Sequence, residues 1–152
     1  MRYKQKLSAK GAVVELLSRR GYSRAQLVKK LKEKEYSTDE IEQALDYAQQ
    51  QGWINDFEFA MGLTRSRLQS GYGGAYIRQY LTSKGVSSEI AAQVIADEQW
   101  DWWQALERAF SKKYRQLPQT WPERRKCQAY LYRRGFDSDL IRQFFEIQSQ
   151  SQ

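Results

Sequence analysis

The sequence predicts an all-α protein: three tandem three-helix repeats stacked into an elongated, curved rod. Three observations predict it. Residue types recur at a spacing of 50 along the chain. Capping signals separate stretches whose apolar residues follow the 3.6-residue helical period. Only two prolines and nine glycines interrupt 152 residues, too few for a loop-rich or disordered chain.

The repeat is read first, because it sets the architecture. Gly21-Tyr22 returns as Gly71-Tyr72, and Glu35-Tyr36 as Gly85-Val86 and Gly135-Phe136. Leu31, Leu81 and Leu131 are in register, as are Lys34, Lys84 and Arg134, and Leu27, Ile77 and Cys127. Ser37, Ser87 and Asp137 coincide, and each is a residue type that caps helices. After a one-residue shift near Asp39, Ile41 matches Ile90 and Leu140, and Leu45 matches Val94 and Phe144. The first helix of each unit matches poorly. The units expected are 9–54, 55–99 and 101–148. One such unit alone is a marginal fold, so stacking with shared cores is expected.

In the first unit, Ala12, Val13, Leu16 and Leu17 form one apolar face, and Gly21 is expected to end that helix in a left-handed cap. Ser23 with Gln26 makes a capping box that starts a helix carrying Leu27, Val28 and Leu31. Ser37 with Glu40 makes another, opening a helix with Ile41, Ala44, Leu45 and Ala48 that stops at Gly52. In the second unit Asn55 caps a helix of Phe57, Ala60, Met61, Leu63, Thr64 and Leu68 that ends near Gly71. Ala75 to Lys84 is the next helix, and Ser87 opens the third, with Ile90, Ala91, Val94 and Ile95. The third unit begins near Asp101 with Trp102, Trp103, Leu106, Ala109 and Phe110. The stretch from Arg115 to Pro122 is a clear break. Thr120 with Glu123 then reads as a capping box, and Pro122 suits a first helical turn. Leu140, Ile141, Phe144, Phe145 and Ile147 mark the last helix.

Charge follows the repeat. The net charge is +7. No Lys or Arg occurs from 35 to 64 or from 87 to 107, no Asp or Glu from 65 to 86, and Glu123 is the single acid from 108 to 134. A basic stripe is therefore expected, made of Arg19, Arg20, Lys29, Lys30, Arg65, Arg67, Arg78, Lys84, Arg124, Arg125, Lys126, Arg133 and Arg134. It would attract a polyanion or an acidic protein face. Capping of helix ends by charges of the suitable sign, together with solubility, is the ordinary alternative for the whole pattern. Tyr72, Tyr76, Tyr130 and Tyr132 sit among the arginines, where they suit base stacking or packing between repeats. Trp53, Trp102 and Trp103 read as core.

The chain has no histidine, which removes Ser-His-Asp and Cys-His catalysis and most zinc and haem sites. Cys127 occupies the slot of Leu27 and Ile77 and reads as a buried core thiol. No catalytic residue, metal or cofactor is expected. Gly71-Tyr72-Gly73-Gly74 fits a phosphate cradle and a helix connector equally well. No apolar run is long enough to span a membrane, Met1 to Lys10 lacks the apolar stretch of a signal peptide, and the lone cysteine suits a reducing cytoplasm.

Several stretches resemble the RecX family of recombination regulators. They are Gly52-Trp53-Ile54-Asn55-Asp56-Phe57-Glu58-Phe59-Ala60, Gly71-Tyr72-Gly73-Gly74-Ala75-Tyr76-Ile77-Arg78-Gln79-Tyr80-Leu81-Thr82-Ser83-Lys84-Gly85-Val86, Ser23 to Leu31, and Tyr130-Leu131-Tyr132-Arg133-Arg134-Gly135-Phe136. The departures are Gly74 for a usual proline, Tyr80 for a usual acid and Gln26 for a usual glutamate. The resemblance implies a monomer that lodges in the groove of the RecA recombinase filament on single-stranded DNA. It implies inhibition of strand exchange, ATP hydrolysis and filament growth, and a part in DNA repair and the SOS response. The basic stripe with Tyr72 would then contact the filament or its DNA. A general single-strand binder and a protein–protein adaptor are the other classes the residues allow.

Overall fold

A computed structural model describes residues 6–150, so the first half of the Met1 to Lys10 segment lies outside the described residues. Among those described, the chain is helical throughout, with nine helices. They are α1 (Ala9–Leu17), α2 (Arg24–Glu33), α3 (Thr38–Gln50), α4 (Asp56–Gln69), α5 (Gly74–Ser83), α6 (Ser88–Ile95), α7 (Trp102–Lys113), α8 (Trp121–Arg133) and α9 (Ser138–Gln150).

The capping residues start the helices as their chemistry requires. Ser23 and Gln26, and Ser37 and Glu40, form reciprocal boxes that satisfy two otherwise orphaned N–H groups each. The Ser37 hydrogen bonds also hold the Glu40 carboxyl below its ordinary pKa. Asn55, Ser87 and Asp101 each accept one backbone N–H. Thr120 accepts from the Glu123 N–H at 3.3 Å, and Pro122 lies in the first turn. Leu27, Ile77 and Cys127, like Leu31, Leu81 and Leu131, are completely buried, so the 50-residue register is a register of core positions. Each of the buried leucine and isoleucine side chains contributes about 1.5–3 kcal/mol.

Two expectations about local structure are corrected. Gly21 is not a left-handed cap: α1 ends at Leu17, Ser18 closes it in ordinary right-handed geometry, and the left-handed glycines are Gly52, Gly71, Gly85 and Gly135. The turn there closes through Arg19 N–H to Leu16 O, which needs no left-handed residue. Trp53 is not core either. It is 42% exposed and meets the exposed Tyr47 edge-on, because the left-handed Gly52 turns the chain outward after α3.

The expectation of cores shared along the whole chain is also corrected. Helices α4 to α9 share one core, whereas α1 to α3 close around a separate one containing Val13, Leu27, Leu31 and Leu45. The first set is attached to the second through polar and close backbone contacts. Ser23 Oγ donates to Lys84 O at 2.7 Å, and Arg24 N–H donates to Asp56 Oδ1 at 2.9 Å. The second and third sets meet through α4 and α7 and through a backbone joint. Gly73 N–H donates to Arg134 O at 2.7 Å, and Ala75 N–H to Gly135 O at 3.1 Å.

The two joints are the same joint displaced by 50 residues. In each, the N-terminus of a second helix meets the C-terminal corner of the next second helix: Ser23 with Lys84-Gly85, and Gly73 with Arg134-Gly135. Helices α8, α5 and α2 therefore follow one another end to end, the C-terminal corner of each meeting the N-terminus of the next. The corner glycine serves two purposes. It adopts a positive φ (91° at Gly85, 104° at Gly135), and it leaves room for the approaching helix. A Cβ on Gly85 would lie 2.7 Å from Ala25 Cβ, and one on Gly135 would lie 2.5 Å from Tyr76 N. In the first unit a non-glycine, Glu35, occupies the equivalent corner at φ 69°.

Candidate partner-binding surface

The basic residues expected to form one stripe fall into two groups. Lys29 and Lys30 on α2, Arg78 on α5, and Arg125, Lys126 and Arg133 on α8 are exposed. None of these six has a carboxylate within ion-pair distance among the described residues. All lie on the three helices that run end to end. Arg65 is exposed on α4, 5.9 Å from the Trp100 ring. Arg19 pairs loosely with Glu15 at 3.5 Å, and Arg20 lies over the Tyr22 ring at 4.2 Å. Uncompensated cations in series concentrate a positive potential that attracts anionic partners.

The other group is engaged inside the molecule. Arg134 Nε donates to Gly71 O at 3.0 Å, and Nη2 donates to Ser70 O. Its guanidinium lies 3.8 Å from the centroid of Tyr72. It thus satisfies carbonyls left open at the end of α4 and holds the second joint shut. Lys112 Nζ also donates to Ser70 O, at 2.6 Å. Tyr72, Tyr76 and Tyr80 stack along α5, with centroids 4.0 and 6.3 Å apart, and Arg67 lies 4.6 Å from Tyr80. Lys84 flanks the same ring at 5.3 Å. Burial, and then the neighbouring Tyr72, raise the Tyr76 phenol pKa. Arg124 is half-buried over Phe145 at 5.2 Å. Arg67, Tyr72, Lys84, Arg124 and Arg134 therefore hold the joint and the helix faces together, while the six unpaired cations face solvent.

Sequence reasoning did not single out Trp121, which is 67% exposed, nor place Tyr132, which is 64% exposed. With Arg125 they recur at i, i+4 and i+11 on α8, opposite the buried Cys127 and Leu131, so a helical projection contains the signal. Tyr130 is the packing tyrosine of the group: its hydroxyl donates to Ala109 O at 2.8 Å. Cys127 is completely buried, and burial pushes its thiol up to about 11, so it is a protonated core residue at neutral pH. Among the described residues no cluster of potential ligands could hold a metal ion, and no helix is long and apolar enough to cross a membrane.

Fold and surface define the class: a helical-repeat protein whose second helices present cations unpaired with carboxylates among the described residues. Models of the first, second and third three-helix domains of RecX match residues 9–47, 55–95 and 99–145. The chain is 38% identical over 143 residues to the regulatory protein RecX of Haemophilus influenzae (strain PittEE), covering 92% of each. It is 37% identical over 136 residues to that of Legionella pneumophila (strain Corby), covering 89% of this chain and 91% of the relative. The crystal structure of RecX from Lactobacillus salivarius superposes with a TM-score of 0.79 at 18% identity, over 93% of this chain and 95% of that one. A second RecX crystal structure gives 0.76 at 24% identity, over 93% and 71%. The chain belongs to the RecX family.

Proposed function

We infer that this protein binds the RecA recombinase filament on single-stranded DNA and restrains it. It inhibits ATP hydrolysis, strand exchange and filament extension, and so modulates recombination, repair and the SOS response. It acts as a cytoplasmic monomer through binding alone, without a cofactor. The observation that carries the reading is the set of six unpaired cations on α2, α5 and α8, in a chain whose relatives are named regulatory proteins. Placed end to end, these helices offer a ligand an extended contact line rather than one pocket. A helical filament has the matching need for a long, repeating contact.

A second reading, direct binding of single-stranded nucleic acid without a recombinase, is favoured by Tyr132 beside Arg133, because an exposed ring next to a cation can stack a base. DNA-dependent ATP hydrolysis by RecA, titrated with this protein at fixed salt, tests the first reading. Inhibition at well below one protein per recombinase is expected. Unchanged hydrolysis, with helicity intact by circular dichroism, would remove it.

A further inference from the structure

The second joint leaves a groove of about 820 Å³ beside it, within the range of ligand-binding clefts. Its floor is apolar: Ile95 at the end of α6, Trp102 at the start of α7, and Phe136 and Leu140 around the start of α9. Arg78 from α5 and Arg133 from α8 stand over it, both exposed and neither paired with a carboxylate among the described residues. Tyr132, also exposed, forms part of the wall. The groove depends on a missing side chain. A Cβ on Gly74 would sit 3.4 Å from Ile95 Cγ2 and 3.6 Å from Trp102 Cη2, so glycine leaves that part of the floor open.

We propose that this groove receives a segment of the protein partner: a bulky apolar side chain seated on Ile95, Trp102 and Leu140, with a neighbouring carboxylate held by Arg78 and Arg133. The charge on the rim selects an anionic segment. The floor selects a side chain rather than a nucleotide base. A base needs an open ring face, but Tyr76 has its faces taken by Tyr72 and Tyr80, at 4.0 and 6.3 Å. Trp102 lies with Cη2 and Cζ2 3.6 and 3.7 Å from where a Cβ on Gly74 would be. The floor is aliphatic carbon and aromatic ring, which fits a leucine-like or aromatic side chain; Tyr132 in the wall offers the ring face a base would use, and the poly-dT measurements below separate the two. The inference rests on the recombinase reading above and assigns one contact within it.

Three variants test it. Gly74→Leu fills the floor with a larger side chain at a first helical position, where leucine is a good helix former. Arg78→Glu with Arg133→Glu reverses the rim. Lys29→Glu with Lys30→Glu makes the same change in net charge far along the chain. Each is measured by fluorescence anisotropy against the RecA filament on single-stranded DNA, and against a naked poly-dT strand. Gly74→Leu is expected to weaken filament binding about tenfold or more and leave poly-dT binding unchanged. The rim pair is expected to lose clearly more filament affinity than the Lys29/Lys30 pair, and the two pairs to lose equally on poly-dT. Filament binding by Gly74→Leu and the rim pair no weaker than that of the control pair would overturn the groove while leaving the recombinase reading in place. Selective loss on poly-dT would overturn it in favour of a nucleic-acid subsite. A wild-type protein that does not bind the filament would overturn the recombinase reading and the groove with it.

Discussion

Replacing Gly73 with alanine separates the joint from every other property of the chain. Gly73 has φ −95°, which any residue adopts, so alanine introduces no backbone strain of its own. Its Cβ, however, would lie 2.5 Å from Gly135 O and 2.6 Å from Phe136 N, both main-chain atoms that no rotamer change can move. The second and third units must separate by close to 1 Å to restore a normal contact near 3.5 Å. That displacement breaks or weakens two backbone hydrogen bonds, Gly73 N–H to Arg134 O and Ala75 N–H to Gly135 O. It also loosens the fork of Arg134 on Ser70 and Gly71. Two lost hydrogen bonds cost about 2 kcal/mol, and overpacking a close contact costs about 1–3 kcal/mol, so the expected loss is about 3–5 kcal/mol. This is a large fraction of the about 5–15 kcal/mol that typically holds a domain folded. Urea denaturation followed by circular dichroism measures it. Gly62→Ala is the control, because Gly62 lies within α4 with nothing within 4 Å of a Cβ, and alanine there should stabilise by about 0.5–1 kcal/mol. A Gly73→Ala protein within about 0.5 kcal/mol of wild type, with Gly62→Ala behaving as expected, would refute the joint as described.

Other outcomes follow from the same contacts. Glu35→Gly should raise stability by about 0.5–1 kcal/mol in the same denaturation assay, because the left-handed φ of 69° costs a side-chain-bearing residue more than glycine loses in chain entropy. Arg134→Lys should lower it by about 1–2 kcal/mol, since an ammonium cannot serve both Ser70 O and Gly71 O and stack on Tyr72. Cys127 titrates at about 11 in the fold against 9.0 for an unperturbed thiol, so folding favours the protonated form. Its contribution is intact below pH 9 and lost as pH rises toward 11, in the same direction as the raised phenols of Tyr76 and Tyr114. The urea midpoint should fall between pH 8 and pH 10.5. Amide exchange should show α1 to α3 opening at lower free energy than α4 to α9, because the first core is separate and joined mainly by polar contacts. Equal protection of both cores would contradict this.

The nine helices were legible because their signals are local. Ser23-Gln26, Ser37-Glu40 and Asn55 announce N-termini within four residues, and the 50-residue register of Leu31, Leu81 and Leu131 reports one repeated core slot. The joints were not legible, although both of their partners lie on that register. Ser23 meets Lys84 at a separation of 61, and nothing local to either residue says that they touch. Arg134 shows the same limit for the binding surface. A cation at a helix end reads alike whether it faces water or, as here, the open carbonyls of another helix. Lys29, Lys30, Arg125 and Lys126 were legible as a solvated basic face, since they lie off the apolar stripes of α2 and α8. Trp53 was misread because an aromatic next to a core position resembles core until the Gly52 turn is known. The groove depends on Gly74 together with residues of four other segments, which proximity in sequence cannot reveal.

The central claim is that the six unpaired cations and the groove serve a protein filament rather than DNA alone. The most direct test is the affinity of this protein for the RecA filament on single-stranded DNA, measured beside its affinity for the same strand naked, across a range of salt concentrations. The account predicts tighter binding to the filament at every salt, and a steep salt-dependent loss on the naked strand that leaves filament binding measurable. Equal affinities with equal salt slopes would contradict it and identify a general single-strand binder.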